Sequence, residues 1–189
     1  MADAGRVIAG SARGLRLEAP GPGTRPLGDR VKQTLFAILE PDLPGSRVLD
    51  LFAGSGAAGI EALSRGAAHA TLVERDIAAT RVIAANLGRT HLVERATIVA
   101  ADALAWLHRT GSETGGPFGI VFVDPPYAYP ALLGAALTAL GSHLAPGARV
   151  VAKHFWRDQP PGRVGLLASE RERRFGETAL TFYRRQEDR

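Results

Sequence analysis

The chain of 189 residues contains no cysteine. This absence excludes disulfide bonds, cysteine-ligated zinc or iron–sulfur centres, and a thiolate nucleophile. No apolar run approaches the roughly 18 residues of a membrane span, and the first residues lack the apolar core of a signal peptide. We therefore expect no membrane partner, and the lack of cysteine is compatible with a cytoplasmic enzyme.

Lysine is almost absent as well, although the net charge is +4. All but two of the 23 basic residues are arginine, the exceptions being Lys32 and Lys153. Arginine binds phosphates through two parallel hydrogen bonds and stacks on bases, which suits an RNA partner. A GC-rich genome explains the same bias equally well, so composition leaves both interpretations open.

The hydrophobic content of 46% is enough for one domain with a buried core. Strand-like and helix-like segments alternate from residue 47 to residue 152, which predicts an α/β fold with a doubly wound, mostly parallel sheet. Two further strands are predicted at 164–167 and 178–183, flanking a charged turn. The only low-complexity segment is the loop at 110–116.

Residues 5–30 have a different pattern. Short extended pieces at 7–9 and 15–17 flank a turn-prone segment, and a proline-rich loop follows, so we predict a β-hairpin there. We divide the chain into an N-terminal hairpin arm at 1–28 and a catalytic domain at 29–189.

The arm and the start of the next segment are basic, with only Glu18 and Asp29 as acidic residues between positions 6 and 32. A basic, loosely structured arm beside a nucleotide-binding core is typical of a grip on RNA phosphates. The alternative is a solvated surface hairpin. The predicted RNA-binding residues are Arg6, Arg13, Arg16, Arg25, Arg30 and Lys32.

Residues 48–60 form the centre of the predicted fold, because an apolar strand there runs through a glycine-rich turn into a helix. Glycines allow close approach of the backbone to a ligand, and the N–H groups at the helix start can bind its polar end. Gly54-x-Gly56-x-x-Gly59 formally matches the dinucleotide fingerprint. S-adenosylmethionine is the alternative cofactor, since Asp50 at the strand end suits its cationic methionine group.

Acidic residues follow four successive predicted strands, at Asp50, Glu74, Asp102 and Asp124. The carboxyl ends of parallel strands meet at one edge of the sheet, where ligands bind. Glu74 suits the two ribose hydroxyls of a nucleoside cofactor, because a carboxylate accepts hydrogen bonds from both. Asp102 suits the adenine amino group. Each acid taken alone could instead be a helix cap.

The motif Asp124-Pro125-Pro126-Tyr127 favours S-adenosylmethionine over a dinucleotide. The two prolines have a fixed φ and no N–H, so nearby acceptors are held rigidly. Asp124 and the carbonyl of Pro125 can each accept one N–H of an amine, which directs its lone pair at a methyl group. Tyr127 can stack on a planar ring. Hydride transfer from a dinucleotide has no use for this arrangement. The alternative interpretation of the motif is a proline-rich turn without a catalytic role.

Two motifs, at 50–56 and 124–127, resemble those of amino-group methyltransferases that use S-adenosylmethionine. Further motifs resemble the bacterial RsmD family, and with them the resemblance extends from Arg6 to about Tyr183. They lie at residues 6–10, 13–14, 24–26, 29–36 and 62–67.

The resemblance implies a seven-stranded Rossmann-like methyltransferase sheet with an antiparallel last strand and a small N-terminal hairpin. It implies methylation of the guanine 2-amino group at one site in small-subunit (16S) ribosomal RNA, within an assembled or assembling subunit. An acid often follows the fifth strand in that family, whereas this chain has Lys153-His154.

The predicted site therefore has catalytic and cofactor-binding parts. The catalytic residues are Asp124, Pro125, Pro126 and Tyr127. The residues predicted to bind S-adenosylmethionine, and its product S-adenosylhomocysteine, are Asp50, Phe52, Ala53, Gly54, Ser55, Gly56, Glu74, Arg75, Asp102 and Ala103. The histidines lack metal-ligand spacing, so we expect no metal, and we expect a monomer.

Other functions remain as alternatives at this point. Methylation of DNA adenine or protein glutamine uses the same Asp-Pro-Pro-Tyr chemistry but calls for a larger target-recognition region. A non-catalytic rRNA-binding assembly factor would tolerate a degraded Asp124 site, and a nicotinamide oxidoreductase would need a second substrate-binding region. A covalent cytosine-carbon methyltransferase is excluded, because it needs a cysteine and the chain has none.

Overall fold

The computed structural model describes residues 2–21, 27–109 and 111–187. Five α-helices accompany the strands in these ranges: α1 (Asp29–Leu39), α2 (Ala57–Ser64), α3 (Ile77–Thr90), α4 (Ala103–Leu107) and α5 (Ala131–Ala139). The strands of the N-terminal hairpin are β1 (Ala2–Arg6) and β2 (Arg16–Ala19). Those of the main sheet are β3 (Arg47–Asp50), β4 (His69–Glu74), β5 (Ala96–Ala100), β6 (Phe118–Val123), β7 (Leu144–Phe155), β8 (Arg163–Val164), β9 (Leu167–Phe175) and β10 (Thr178–Arg185).

The main sheet has the order β5-β4-β3-β6-β7-β10-β9-β8. Strands β3 to β7 pair in parallel, whereas β10 is antiparallel to both β7 and β9. The α/β prediction is confirmed, and the sheet has the seven strands implied by the resemblance, with the two-residue β8 added at one edge. From β3 the chain adds β4 and β5 towards one edge of the sheet, and from β6 it adds β7 towards the other edge. The boundary between β3 and β6 is therefore the topological switch point where such sheets bind ligands.

Helices cover both faces of the sheet and bury two apolar clusters. One cluster joins the hairpin to α1, α2 and α3, with Phe36, Ile60 and Ile83 fully buried. The other lies beneath α4 and α5 and includes Trp106 and Leu137. Burial on both faces explains why the central strands are nearly continuous apolar runs. Within the described ranges, no helix has the length and apolar character needed to cross a membrane.

The hairpin is present, but its strands lie at 2–6 and 16–19 rather than at 7–9 and 15–17. It is not loosely structured, because α2 anchors the segment between its strands. Buried Glu61 accepts hydrogen bonds from the backbone N–H groups of Ile8 at 2.8 Å and Ala9 at 3.1 Å. Gly10, at φ +85°, lies so close to α2 that an added Cβ would be 1.8 Å from the carbonyl oxygen of Ser64. The division of the chain at residue 28 stays a prediction.

The segment predicted as a charged turn is part of a strand. Arg171, Arg173 and Arg174 lie in β9, which pairs along β10, and the chain reverses at Gly176 instead. Most side chains of β9 are exposed, so the strand lacks the apolar alternation by which a strand is recognised in a sequence. The fifth strand of the parallel set is also longer than predicted, extending over 144–155 rather than 149–152.

Candidate active site

A cleft of about 590 Å³ opens at the carboxyl ends of the parallel strands. Its floor is made by the ends of β3, β4 and β6, and α1 contributes Val31 and Leu35 to one wall. Every residue predicted to bind the cofactor lines this cleft except Gly56. Gly56 lies behind the loop at φ +78°, where an added Cβ would be 3.2 Å from side-chain atoms of Ile83 and Leu72.

The glycine-rich loop is held by the acids at the strand ends. Glu74 accepts hydrogen bonds from the backbone N–H groups of Gly54 at 2.8 Å and Asp76 at 2.9 Å, one on each carboxylate oxygen. Asp50 accepts the N–H of Gly59 at 3.0 Å, near the start of α2. A carboxylate oxygen has two lone pairs, so both acids retain acceptor capacity towards the cleft.

Asp50 is the most buried acid of the site, with 3% of its surface exposed. The pKa of its carboxyl group is raised to about 7, chiefly by burial and also by the negative charges of Asp124 and Glu74, while the hydrogen bond from Gly59 opposes the shift. A cationic ligand beside Asp50 would favour its ionised form. The cleft is therefore suited to a ligand with a positively charged end, as the methionine group of S-adenosylmethionine is.

Asp102 caps α4, because its Oδ1 accepts the N–H groups of Leu104 and Ala105, both at 3.0 Å. Asp102 is therefore a helix cap, and the same side chain also lines the cleft. Asp76, which caps α3 through the N–H of Ala78 at 2.7 Å, also lines the cleft and was not among the predicted residues.

Asp124 follows β6 and is bound by a residue that the sequence did not place in the site. The Nζ of Lys153 lies 2.9 Å from Oδ1 and 2.8 Å from Oδ2 of Asp124. Burial raises the pKa of Asp124 above its ordinary value, and the ammonium of Lys153 only partly opposes that shift. A signal was available: Lys153 is one of two lysines in an arginine-rich chain, and it follows a predicted strand.

Tyr127 is held at the mouth of the cleft. Its hydroxyl lies 2.9 Å from Oγ1 of Thr178 on β10, and its ring centroid is 6.4 Å from that of Phe155. The Nζ of Lys153 is 5.3 Å from the centroid of the Tyr127 ring. The Tyr127 ring thus lies beside the carboxylate of Asp124 and the ammonium of Lys153.

The predicted RNA-binding residues are not equivalent. Arg6 is paired with Asp29 at 3.0 Å and Arg16 with Asp3 at 2.9 Å, although both arginines remain mostly exposed. Arg13 and Arg30 are exposed, and Arg25 lies outside the described residues.

The prediction for Lys32 does not fit the structure, because its side chain is fully buried. Its Nζ donates to the backbone carbonyl of Arg6 and lies 3.8 Å from Asp29, so it cannot reach a phosphate from this position. Burial lowers the pKa of Lys32, and the charges of Glu61 and Asp29 oppose that shift. Lys32 supports the hairpin instead.

Two arginines of β9 lie on the same face of the sheet as Lys153. Leu180 on β10 pairs with Lys153 on one side and with Arg173 on the other, so the three side chains lie on the same face. Arg171 occupies the same face two residues earlier and is exposed, as is Arg173. Leu180 itself lines the cleft. Positive charge therefore continues from Lys153, beside Asp124, towards the edge of the sheet.

The sheet order and the carboxylate-lined cleft define a Rossmann-like methyltransferase, the class that uses S-adenosylmethionine. Residues 5–184 match the family described as Conserved hypothetical protein 95. The chain belongs to this family, which is the RsmD family.

Known proteins resemble this chain over most of its length. A Bacillus subtilis (strain 168) protein described as an rRNA methyltransferase, YlbH, is 39% identical over 183 residues, covering 95% of this chain and 98% of that protein. Ribosomal RNA small subunit methyltransferase D of Escherichia coli (strain K12) is 46% identical over 123 residues, covering 65% of this chain and 60% of that protein. The solved structure of the Escherichia coli methyltransferase yhhF has a TM-score of 0.83 at 37% identity, covering 97% of this chain and 98% of that one.

Proposed function

We propose that this protein transfers the methyl group of S-adenosylmethionine to the exocyclic 2-amino group of a guanine in small-subunit (16S) ribosomal RNA, in an assembled or assembling subunit in the cytoplasm. The observation that carries the proposal is the position of Asp124, at the end of β6, in the same cleft as Asp50 and Glu74. The names of relatives in the RsmD family support ribosomal RNA as the substrate.

The acids of the cleft have the donor and acceptor properties needed to hold the cofactor. Asp50 would bind the cationic amino-acid end, Glu74 the ribose hydroxyls and Asp102 the adenine amino group. When bound, S-adenosylmethionine supplies an electrophilic methyl group on a positively charged sulfur. The protein's own task is then to orient the acceptor nitrogen and exclude water.

The guanine 2-amino group is a weak nucleophile, because its lone pair is delocalised into the ring. Asp124 and the carbonyl of Pro125 would each accept one of its N–H bonds, and this orients the lone pair towards the methyl group. Formation of the new N–C bond would be matched by loss of the S–C bond, with S-adenosylhomocysteine as the neutral leaving group, so the positive charge would pass to the nitrogen, which must then release one proton. Asp124 would accept this proton. Tyr127 would hold the base, once it has left its stack, by ring stacking.

Methyl transfer to small-subunit particles tests the proposal directly. Purified protein with S-adenosylmethionine carrying a labelled methyl group should modify particles that lack the modification, and hydrolysis of their RNA should yield labelled N2-methylguanosine. Free 16S RNA and double-stranded DNA serve as competing substrates. Label in DNA adenine or in protein glutamine, with none in RNA, would contradict the proposal.

Phosphate binding by the arm can be tested by charge removal. Replacing Arg6, Arg13 and Arg16 together with glutamine should weaken RNA binding and reduce its salt dependence by up to about one unit of slope per lost contact. Cofactor affinity should stay unchanged, because none of the three lines the cleft. An equal loss of both affinities would mean that these arginines act through the fold of the arm.

The strand β9 offers a second set of contacts to the same RNA. The pair Arg171→Gln and Arg173→Gln should also weaken RNA binding and reduce its salt slope. The matched control is the pair Arg81→Gln and Arg109→Gln, which removes the same charge from exposed positions outside the cleft. Filter binding at several salt concentrations measures both pairs, and equal slopes for them would remove β9 from the RNA-binding surface.

A further inference from the structure

Lys153 lies directly beside Asp124, the proposed catalytic carboxylate. Strands β6 and β7 pair in parallel with Val123 opposite Ala152, so Asp124 and Lys153 are the next residues on adjacent strands. The ammonium contacts both carboxylate oxygens, at 2.9 Å and 2.8 Å. Only 14% of the Lys153 side chain and 30% of the Asp124 side chain are exposed. This pair is therefore partly shielded from the solvent that makes surface ion pairs weak.

The other charged or titratable groups around Asp124 would not replace this cation. Asp50 on β3 and Glu74 on β4 line the same cleft and are acidic, and Asp50 interacts electrostatically with both Asp124 and Glu74. Tyr127 contributes a hydroxyl that is already bonded to Thr178 on β10. The next residue on β7, His154, is directed to Oγ1 of Thr181 at 2.9 Å. Arg75 lines the cleft and is exposed, with no hydrogen bond to Asp124 in the structure.

We propose, resting on the function above, that Lys153 is the positioning residue of the reaction, which favours the ionised form of Asp124 and holds this carboxylate in place as the acceptor for the substrate amine. Each carboxylate oxygen has two lone pairs, and Lys153 uses one on each oxygen. One lone pair per oxygen remains for the substrate. Contact with both oxygens centres the positive charge of the ammonium on the carboxylate and ties the carboxylate to β7.

The need for such a residue follows from the chemistry of the partly buried carboxyl group of Asp124. A protonated Asp124 presents an O–H donor, which faces the N–H donors of the amine instead of accepting from them. Burial raises the pKa of Asp124 and Lys153 lowers it, so removing the lysine moves this pKa upward. The ionised fraction at neutral pH then falls, and activity should return as the pH rises through the new pKa.

The pH dependence of the single-turnover rate tests this role. In Lys153→Met the acid limb of the profile should move up by at least about one pH unit, which makes the rate at pH values below the limb about tenfold lower. Lys153→Arg should keep a profile close to that of the unaltered protein, because it restores a cation with two donors. Arg157→Met is the matched control, since it removes an exposed cation four residues further along that does not line the cleft.

A second measurement needs no substrate. The carboxyl carbon of Asp124, labelled with 13C and assigned by its loss in Asp124→Asn, should titrate at higher pH in Lys153→Met than in the unaltered protein. Equal titrations and equal rate profiles would overturn the proposal, even if Lys153→Met lowers the melting temperature. If the unaltered protein methylates no RNA, the proposed function fails, and the titration still decides whether Lys153 controls the ionisation of Asp124.

Discussion

Replacing Asp124 with alanine is expected to lower the single-turnover rate of methyl transfer by about 100-fold or more, the usual scale for removing a group that acts on the transition state. The amine would lose the acceptor that orients its lone pair and the nearest group able to take its proton. Cofactor affinity should remain nearly intact, because the acids assigned to the cofactor, Asp50, Glu74 and Asp102, are unchanged. Rapid mixing of the enzyme–cofactor complex with small-subunit particles measures the rate without interference from product release.

Three variants distinguish the chemistry from a loss of structure. Asp124→Asn should also be slow, because an amide lacks the negative charge and presents donors as well as an acceptor. Tyr127→Phe should keep most activity, since the ring remains and only the contact with Thr178 is lost. Tyr127→Ala should be slow, because base stacking on aromatic rings contributes about 1–3 kcal/mol per base. A near-normal rate for Asp124→Ala, in protein with an unchanged melting temperature, would contradict the proposed mechanism.

Replacing Glu74 with alanine is expected to weaken S-adenosylmethionine binding by about 10- to 150-fold, from the loss of charge-assisted hydrogen bonds contributing about 1.5–3 kcal/mol. The structure adds a second reason for a large effect. Glu74 also accepts the N–H groups of Gly54 and Asp76, so its removal takes one hydrogen bond from the glycine-rich loop and one from the turn before α3.

Calorimetric titration with S-adenosylhomocysteine measures this loss, with Glu94→Ala as a control that removes an exposed acid outside the cleft. The cofactor affinity of Glu74→Gln should lie between those of Glu74→Ala and Glu94→Ala, because the amide has one acceptor oxygen where the carboxylate has two. NAD should give no heat of binding to the unaltered protein. Binding of NAD without binding of S-adenosylmethionine would refute the assignment of the cofactor.

The arrangement of the cleft was predictable because it depends on local signals. Asp50, Glu74 and Asp124 follow apolar runs, and parallel strands bring their carboxyl ends to one edge whatever the details of packing. The glycine spacing indicated the loop for the same reason. The cofactor class then followed from Asp124-Pro125-Pro126-Tyr127, whose rigidity is a property of the residues themselves.

What the sequence could not predict depends on contacts between distant segments. Lys32 looks like an exposed base in a basic arm, but the docking of the hairpin on α2 buries it beside the carbonyl of Arg6. Nothing in the sequence indicates that Glu61 accepts the N–H groups of Ile8 and Ala9, which lie 53 and 52 positions earlier in the chain. The Arg171–Arg173 segment is polar on both sides, so its place in β9 comes from pairing with β10, and Lys153 acquires its partner only through the register of β6 and β7.

The central claim is methylation of a guanine 2-amino group in small-subunit RNA by the Asp124 site. The most direct test is to map modified guanines in the small-subunit RNA of a strain that lacks this gene and carries either the unaltered gene or its Asp124→Ala variant. We predict that one N2-methylguanosine is lost in the deletion strain, returns with the unaltered gene and stays absent with the variant. An unchanged set of modified guanines in the deletion strain, or full restoration by Asp124→Ala, would contradict the claim.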